Sequence, residues 1–452
     1  MQRNKNTNKN KVQRNKKQNK KQSRNKQANE QTNKKKKKEI QEMIHQSATV
    51  VPSSTQQRRK KRRRNAVCAS MISETLRKEL LALSFEYADE EMKGIDGEEK
   101  FSTTSASGDK PSTDFQNRNL IGHMIHLNQT KSYRTNTFDI HEFAKLATDK
   151  YVLPAIAMSI FYDLDANRGG MFHKLNINAE KLQNYLVDIA TKYVSTNCFH
   201  NSIHAADVGQ SIYALLYNNP NLSKRLSDLD QFTLLLSAFV HDVAHNGTNN
   251  DFLIKTLSPL ALRYNDQSVL ENFHISTAWE VITLHERNNF MENMTLENKM
   301  RFRKLLIKVI LATDNSKHFE KLMQLNNMKF SGINVDTDLY NNKDFIMEIL
   351  LHASDISNPA KSYKIYGQWV DRIMEEFYLL GDLEKRNNLP ITEIFKRGKS
   401  RATVQHGFLK YFVQPLFKSI EENIDGVNVT KLLQNIQSNM DHWEKLMENE
   451  NV

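Results

Sequence analysis

The chain has 452 residues and a formal net charge of +12, a balance typical of proteins that bind nucleic acid or membrane surfaces. All of the excess lies in residues 1–65, which hold 23 Lys or Arg and three Glu, whereas the other 387 residues hold 41 basic and 49 acidic side chains. That larger part is therefore mildly acidic, which predicts no basic groove for nucleic acid. Its two cysteines are too few for a disulfide framework.

Residues 1–65 are predicted to be disordered. They consist mainly of Lys, Asn, Gln and Arg, and such a composition cannot bury enough apolar surface to offset the chain entropy lost on folding. Charge runs at 34–38 and 58–64 favour contacts with anionic lipid, RNA or a nuclear import receptor, with a merely solvating tail as the alternative. Because there is no signal-peptide stretch and no apolar run near the ~20 residues of a membrane span, we expect a soluble protein of the cytoplasm or nucleus.

Residues 66–129 are predicted to form one helix followed by a linker. Within 70–95, Leu76, Leu80 and Leu83 lie at helical spacing, and this helix is expected to dock on the rest of the chain or to pair with a second copy in a homodimer. Residues 96–129 are rich in Ser, Thr, Asp and Gly, a composition typical of linkers.

From about residue 130 to residue 449 the pattern is helical. Apolar side chains recur with a 3.6-residue period in three clear stretches, at 182–194, 302–310 and 366–377. Prolines separate such runs, at positions where helices are expected to break: Pro220, Pro259, Pro359 and Pro390. Because alternating strand patterns are nearly absent, residues 130–449 are predicted to form one all-α domain.

Histidine and aspartate collect in three short segments of this domain: HNSIHAADV (200–208), HDVAH (241–245) and HASDISNP (352–359). A lone buried histidine is more often structural than functional. The second segment, however, ends a strongly apolar run, where a buried carboxylate costs several kcal/mol unless it is paired or metal-bound. The neutral imidazoles and carboxylates of a metal site would come from His204, His241, Asp242 and Asp355. Without cysteine pairs a zinc finger is excluded, and the ligand types suit a two-metal centre.

Seven ordered motifs resemble the catalytic domain of class I cyclic nucleotide phosphodiesterases. The resemblance covers about 320 residues, and the motifs, which lie between residues 200 and 416, read HNSIHAADV, HDVAHNGTNNDFL, YNDQSVLENFH, LATDNSKH, HASDISNPAKSY, WVDRIMEEFYLLGD and VQHGFLKYFVQPL. The resemblance implies a compact domain of about sixteen helices. It also implies an enzyme that hydrolyses 3′,5′-cyclic nucleotides to 5′-monophosphates and so terminates cyclic nucleotide signalling.

The resemblance implies a role for each matched polar residue near the metals. The ligands of the tighter metal, usually zinc, are matched by His204, His241, Asp242 and Asp355. Asp242 also matches the bridge to a second metal, usually magnesium with manganese as an alternative, whose waters are held by residues matching His245, Glu271 and Thr313. A bridged metal pair lowers the pKa of a shared water to about 7. His200 matches the general acid that protonates the leaving ribose oxygen.

The resemblance also implies a pocket that recognises the base. Its residues are matched by Asn358, Gln405, Phe408 and Ile373, with Phe408 and Ile373 on opposite faces of the ring. Tyr366 would fix the Gln405 amide in the orientation that suits the exocyclic amine of adenine, which favours cyclic AMP over cyclic GMP. Four positions depart from the family's usual residues without touching a matched ligand or the acid, and are expected to alter pocket shape and inhibitor response: Phe199, Ala244, Asn246 and Phe273.

Three alternatives remain beside this hypothesis. Another His-Asp metal phosphohydrolase, such as a nucleotide triphosphohydrolase, is disfavoured by the Gln405–Phe408 segment. A non-catalytic binding protein that keeps the fold is disfavoured by the complete set of matched ligands. A nucleic-acid-binding protein that acts through residues 58–64 is limited by the acidic domain to an accessory role.

Overall fold

Helices form every regular element that the structure describes. The structure is a computed structural model, and it describes residues 113–147, 149–330 and 335–450. The α-helices in these ranges are α1 (Thr113–Thr130), α2 (Ile140–Leu146), α3 (Asp149–Asn167), α4 (Met171–Leu175), α5 (Ala179–Lys192), α6 (Ser202–Asn218), α7 (Pro220–Arg225), α8 (Asp228–Val240), α9 (Asn250–Lys255), α10 (Pro259–Tyr264), α11 (Val269–Leu284), α12 (Leu296–Ile310), α13 (His318–Phe330), α14 (Val335–Asp355), α15 (Tyr363–Arg386), α16 (Arg401–Phe408), α17 (Gln414–Asn423) and α18 (Thr430–Glu450). The all-α prediction is confirmed, and the expected number of about sixteen helices is close, since several of these helices are only one turn long.

The periodic stretches found in the sequence coincide with α5, α12 and α15. Asn178 caps α5 by accepting from the Lys181 amide, and Thr295 caps α12 by accepting from the Asn298 amide. Pro220 and Pro259 begin α7 and α10, where a missing N–H costs nothing. Local sequence therefore determines these helix boundaries as predicted.

Helix α1 corrects the linker interpretation of residues 96–129 for the part that the structure describes. Leu120, Met124 and Leu127 of α1 are buried and belong to the main hydrophobic core. Their i, i+4, i+7 spacing forms an apolar stripe. The Ser, Thr, Asp and Gly residues that suggested a linker lie mainly before this helix in the sequence. The predicted disordered segment 1–65 and the predicted helix at 70–95 lie outside the described residues.

Helix α8 runs through the centre of the core, and every residue from Leu229 to Val240 is buried. Ser227 and Asp230 form a capping box at its start. Asp230 also pairs with Arg301 of α12 at 2.9 Å and with Lys343 of α14 at 2.8 Å. The helix ends at His241, so its C-terminus delivers that imidazole and Asp242 into the protein interior.

Helices α6 and α8 pack unusually closely. Gly209 of α6 faces Phe239 of α8, and a Cβ atom at Gly209 would lie 2.3 Å from the phenyl ring. Only glycine permits this approach. It brings the segment at the start of α6 beside the segment at the end of α8, which are the first two His/Asp segments. No described helix is both long and apolar enough to cross a membrane.

Candidate active site

Three helix ends bring the candidate metal ligands together. His204 lies in the first turn of α6, whose cap, Asn201, accepts from the amides of Ile203 and His204. His241 and Asp242 follow the last residue of α8, and Asp355 is the last residue of α14. The ligand atoms of His204, His241, Asp242 and Asp355 all lie within 4.8 Å of one another.

The distances within this cluster are those of ligands that share one ion. Asp355 Oδ1 lies 3.1 Å from the Nε2 atoms of both His204 and His241, and Asp242 Oδ2 lies 3.1 Å from His241 Nε2 and 3.6 Å from His204 Nε2. Two atoms that are each ~2.1 Å from a tetrahedral metal are separated by roughly 3.4 Å. The four side chains therefore form a nearly preformed cage for a divalent cation.

Hydrogen bonding of His241 supports this assignment. Its Nδ1–H donates to the Ala238 carbonyl at 2.8 Å, which leaves Nε2 as a lone pair when the imidazole is neutral. That lone pair faces two carboxylate oxygens in a fully buried position. Lone pairs facing each other without solvent are repulsive, and a cation between them removes the conflict. The residues thus fit a divalent metal.

A second cluster lies on the other side of Asp242. The ligand atoms of Asp242, His245 and His274 also fall within 4.8 Å of one another. The Nδ1–H of His274 donates to the Val243 carbonyl at 2.7 Å, so its buried Nε2 is a bare acceptor 3.6 Å from Asp242 Oδ1. Both atoms need a proton donor between them, such as a bound water. Sequence analysis assigned no role to His274, although it stands in the quoted motif YNDQSVLENFH.

Glu271 and Thr313 are the other two residues expected to hold waters of the second metal. In the structure their side chains form different kinds of hydrogen bond. Burial and then the carboxylate of Asp314 raise the pKa of Glu271 to about 7, although hydrogen bonds from Asn250 at 3.0 and 3.3 Å oppose the shift. The hydroxyl of Thr313 donates to the Ile310 carbonyl at 2.8 Å. Its oxygen therefore keeps acceptor capacity for a water.

His200 is held by a glutamate that sequence analysis did not single out. The Nδ1 of His200 forms a short hydrogen bond with Glu376 Oε1, and Glu376 Oε2 accepts from the backbone amides of Phe199 and His200 at 2.8 and 3.1 Å. Burial is the largest single effect and lowers the pKa of His200, but the charge and hydrogen bond of Glu376, together with the charges of Asp242 and Asp355, raise the pKa to about 9. The pair fixes His200 as an imidazolium at neutral pH. Glu376 belongs to the quoted motif WVDRIMEEFYLLGD, where its two adjacent glutamates gave no basis for choosing one.

The ring of His200 stacks on that of His245, with centroids 4.1 Å apart and planes 21° apart. The backbone amide of Gly247 donates to His245 Nδ1 at 3.1 Å, so the neutral ring carries its proton on Nε2. Burial lowers the pKa of His245 well below its usual range, and the neighbouring His200 cation lowers it further. One ring of the stack is thus charged and the other neutral.

The four departures from the family pattern have visible consequences at three positions. Phe199 is buried against the rings of His204 and Trp369, at centroid distances of 4.6 and 5.3 Å. Ala244 has a φ of 61°, a left-handed conformation that costs a residue with a Cβ roughly 1 kcal/mol. Asn246 accepts from the amide and hydroxyl of Thr248 and so closes the following turn. Nothing in the structure explains Phe273.

Gln405 and Tyr366 form a buried polar pair. The Tyr366 hydroxyl donates to Gln405 Oε1 at 2.8 Å, and Gln405 Nε2 lies 3.6 Å from Met374 Sδ. Phe408, at the end of α16, stacks on Phe412 of the π-helical turn Leu409–Val413 at 5.6 Å. Ile373 and Phe408 are both half-buried beside the main core.

Asn358 has its amide fixed by Asp207, which stands in the first His/Asp segment. The Nδ2 of Asn358 donates to Asp207 Oδ2 at 3.0 Å, and the buried Lys361 ammonium donates to Asp207 Oδ1. Because a carboxylate only accepts, Asn358 must turn its NH₂ towards Asp207. Its Oδ1 is therefore the atom available to a ligand. Sequence analysis assigned no role to Asp207, although it stands in the quoted motif HNSIHAADV.

The chain is similar in sequence to known cyclic nucleotide phosphodiesterases. Residues 199–436 match the family model described as 3′5′-cyclic nucleotide phosphodiesterase. The chain is 35% identical to a probable 3′,5′-cyclic-AMP phosphodiesterase of Caenorhabditis elegans, over 65% of this chain and 43% of that protein. It is 34% identical to a 3′,5′-cyclic-AMP phosphodiesterase 4C of Mus musculus, over 68% of this chain and 44% of that protein. The chain thus spans less than half the length of these two relatives.

A solved structure shares the fold. The phosphodiesterase domain of the RhoPDE fusion protein from the choanoflagellate Salpingoeca rosetta is 30% identical and superposes with a TM-score of 0.64. The match covers 71% of this chain and 96% of that domain.

Proposed function

This chain belongs to the 3′,5′-cyclic nucleotide phosphodiesterase family, and from that premise we propose that it hydrolyses cyclic AMP, in preference to cyclic GMP, to the 5′-monophosphate. The observation that carries the proposal is the convergence of two imidazoles and two carboxylates within 4.8 Å, one hydrogen-bonded so that its lone pair faces the carboxylates. Such an arrangement suits hydrolysis of a phosphodiester, which needs charge neutralisation and a strong nucleophile.

His204, His241, Asp242 and Asp355 would hold the tighter metal, which we propose to be Zn²⁺ because imidazole nitrogen and carboxylate oxygen suit it. The Asp242 oxygen facing His274 would contribute to a second site for Mg²⁺ or Mn²⁺, with waters held by His245, Glu271 and Thr313. When bound, the metal pair supplies a hydroxide at neutral pH. Neutral His245 and His274 are suited to that second site, since neither adds a positive charge.

His200 would donate the proton that the leaving ribose oxygen requires. Glu376 occupies its Nδ1, so the second proton of the imidazolium, at Nε2, is the transferable one. The raised pKa of about 9 keeps this acid protonated at neutral pH. Glu376 is therefore a positioning residue, which orients the acid and maintains its charge.

The preference for cyclic AMP is inferred from the Asn358 amide. With Nδ2 committed to Asp207, Oδ1 is an acceptor. The exocyclic N6–H₂ of adenine donates, whereas the O6 atom of guanine accepts, so the acceptor attracts one base and repels the other. Tyr366 fixes the Gln405 amide in the same pocket and would keep a second polar group from adapting to guanine.

The test compares kcat/KM for cyclic AMP and cyclic GMP in the wild type, in Asn358→Ala and in Asn387→Ala. Asn387 is an exposed asparagine at the end of α15 and serves as the matched control. We expect the wild type and the control to prefer cyclic AMP, and Asn358→Ala to lose roughly 5- to 100-fold of that preference. A wild type that prefers cyclic GMP, or an unchanged preference in Asn358→Ala, would contradict the proposal.

A further inference from the structure

The turn that carries Asn358 is also held from its other side, by helix α18. The Nδ2 group of Asn439 donates to the backbone carbonyls of Pro359 and Lys361, each at 2.9 Å. The Nδ2 group of Asn435 donates to the carbonyl of Ala360, also at 2.9 Å. Three consecutive carbonyls of the turn are thus satisfied by two side chains of one distant helix.

Asn439 occupies a position where an apolar residue would be expected. The buried face of α18 consists of Leu432, Ile436, Asn439 and Trp443, at the spacing of one helix stripe. Asn439 is only 2% exposed, and burying an amide is unfavourable unless it is hydrogen-bonded. Its two bonds to the turn are the interaction that offsets this cost.

The turn is therefore clamped between two helices. On the side of α6, Asp207 binds the side chains of Asn358 and Lys361. On the side of α18, Asn439 and Asn435 bind the backbone between them. Because the backbone position decides whether Asn358 reaches Asp207, the hydrogen bonds of Asn439 act indirectly on the orientation of the Asn358 amide.

Helix α18 contacts the other polar group of the pocket as well. The indole of Trp443 packs edge-on against the ring of Tyr366, with centroids 6.2 Å apart and planes 88° apart. Tyr366 is the residue that donates to Gln405. A single helix thus supports both amides that face the base.

We propose that Asn439 is a positioning residue for base selection, which holds the 358–361 turn so that Asn358 presents its Oδ1 to the substrate. The inference rests on the proposed preference for cyclic AMP. It assigns no contact between Asn439 and the substrate, and the effect is transmitted through the turn alone.

The experiment compares Asn439→Ala and Asn439→Asp with Asn288→Ala. Asn288 is a matched control, because it is equally buried and its Nδ2 donates to the Val281 carbonyl at 3.1 Å and to Asp188 at 2.7 Å, in the loop after α11. For each protein we would measure kcat and KM for both nucleotides, the midpoint of thermal unfolding, and hydrogen exchange of the peptide 356–362.

Both Asn439 variants are expected to reduce the ratio of kcat/KM for cyclic AMP over cyclic GMP by roughly fivefold or more. The loss should appear in KM for cyclic AMP, with kcat nearly unchanged, because the turn contacts the base rather than the reacting phosphate. Exchange in 356–362 should accelerate. Asn288→Ala should lower the unfolding midpoint but leave the ratio and this exchange as in the wild type.

An Asn439 variant that is destabilised yet keeps the wild-type ratio and exchange would overturn the proposal. If neither variant folds, Asn435→Ala replaces them, since this change removes a single hydrogen bond from a half-buried residue. An unchanged kcat/KM ratio and unchanged hydrogen exchange in Asn435→Ala would equally overturn the proposal. A wild type without a preference for cyclic AMP would refute the proposed specificity. The exchange measurement would then decide separately whether Asn439 holds the turn.

Discussion

At the scale of single residues, Asp242 is the group on which both candidate metal positions depend. One of its oxygens lies 3.1 Å from His241 Nε2, and the other lies 3.6 Å from His274 Nε2. Burial raises the pKa of this carboxyl, but the neighbouring imidazoles, His241 foremost and then His200 and His245, together hold it well below its usual range. The side chain is therefore an anion shared between two clusters.

Replacement of Asp242 by Asn should be the most damaging conservative change. The amide keeps the shape but removes the charge that serves both clusters, so we expect kcat/KM to fall by at least ~10³-fold. Metal content, measured by elemental analysis, should fall in the same sample. His200→Ala should slow turnover while retaining metal, and equal loss of metal in the two variants would show that the acid is wrongly assigned.

The His200–Glu376 pair makes a prediction about pH. The active form of the acid is the imidazolium, so activity is present below the pKa of about 9 and is lost as the pH rises through it. In Glu376→Gln the charge that most raises this pKa is lost, and the remaining carboxylates of Asp242 and Asp355 oppose burial less strongly, so the pKa should fall. The alkaline limb of the kcat profile should accordingly move from about pH 9 to lower pH.

The neighbouring Glu375→Gln variant is the control for that profile, because Glu375 makes only a 3.7 Å surface contact with Arg397. Its alkaline limb should stay near pH 9. If Glu376→Gln kept the same limb as the wild type, Glu376 would not be the group that sets the charge of His200.

At the scale of elements, the site is built from helix ends, and α1 shows how a helix can be missed. The ends of α6, α8 and α14 are marked in the sequence by clustered His and Asp, and the structure brings these side chains together. Helix α1 has no such marker, and its many Asn, Gln, Thr and His residues obscure a stripe of three apolar residues. Composition averages over all faces of a helix, whereas packing depends on one.

Helix α1 should contribute measurably to stability. Leu127 is 1% exposed, so Leu127→Ala should lower the free energy of unfolding by about 2–5 kcal/mol through lost burial and a residual cavity. Ile125, on the same helix, is 51% exposed, and Ile125→Ala should change the free energy of unfolding by less than about 0.5 kcal/mol. Denaturant unfolding measures both, and equal effects would mean that α1 does not pack as described.

At the scale of the whole molecule, charge divides the chain into a basic N-terminal part and an acidic remainder. We propose that residues 1–65 direct location through anionic partners and take no part in catalysis. Their deletion should leave kcat/KM for cyclic AMP unchanged. Binding of the full chain to vesicles containing phosphatidylserine should weaken steeply as salt rises, since exposed charges are screened. A collapse of kcat/KM on deletion would contradict this division.

Much of the catalytic region could be predicted from sequence, because the residues that carry its chemistry lie in short local motifs. The ligands His204, His241, Asp242 and Asp355 lie in such motifs, and the structure brings them together. The residues that hold His200, Asn358 and the turn at Pro359 could not be predicted, since each lies far away in sequence from the group it contacts. Glu376 is 176 positions from His200, Asp207 is 151 positions from Asn358, and Asn439 is 80 positions from Pro359. Helical periodicity identifies helices but not which of them meet.

Removal and restoration of metal test the central claim most directly. The full chain would be dialysed against a chelator, its metal content measured, and its cyclic AMP hydrolysis followed before and after addition of Zn²⁺ with Mg²⁺ or Mn²⁺. We predict that activity falls with metal content and returns with the two ions, but that Asp242→Asn treated in parallel does not recover. Full hydrolysis of cyclic AMP by metal-free wild-type protein would contradict the account.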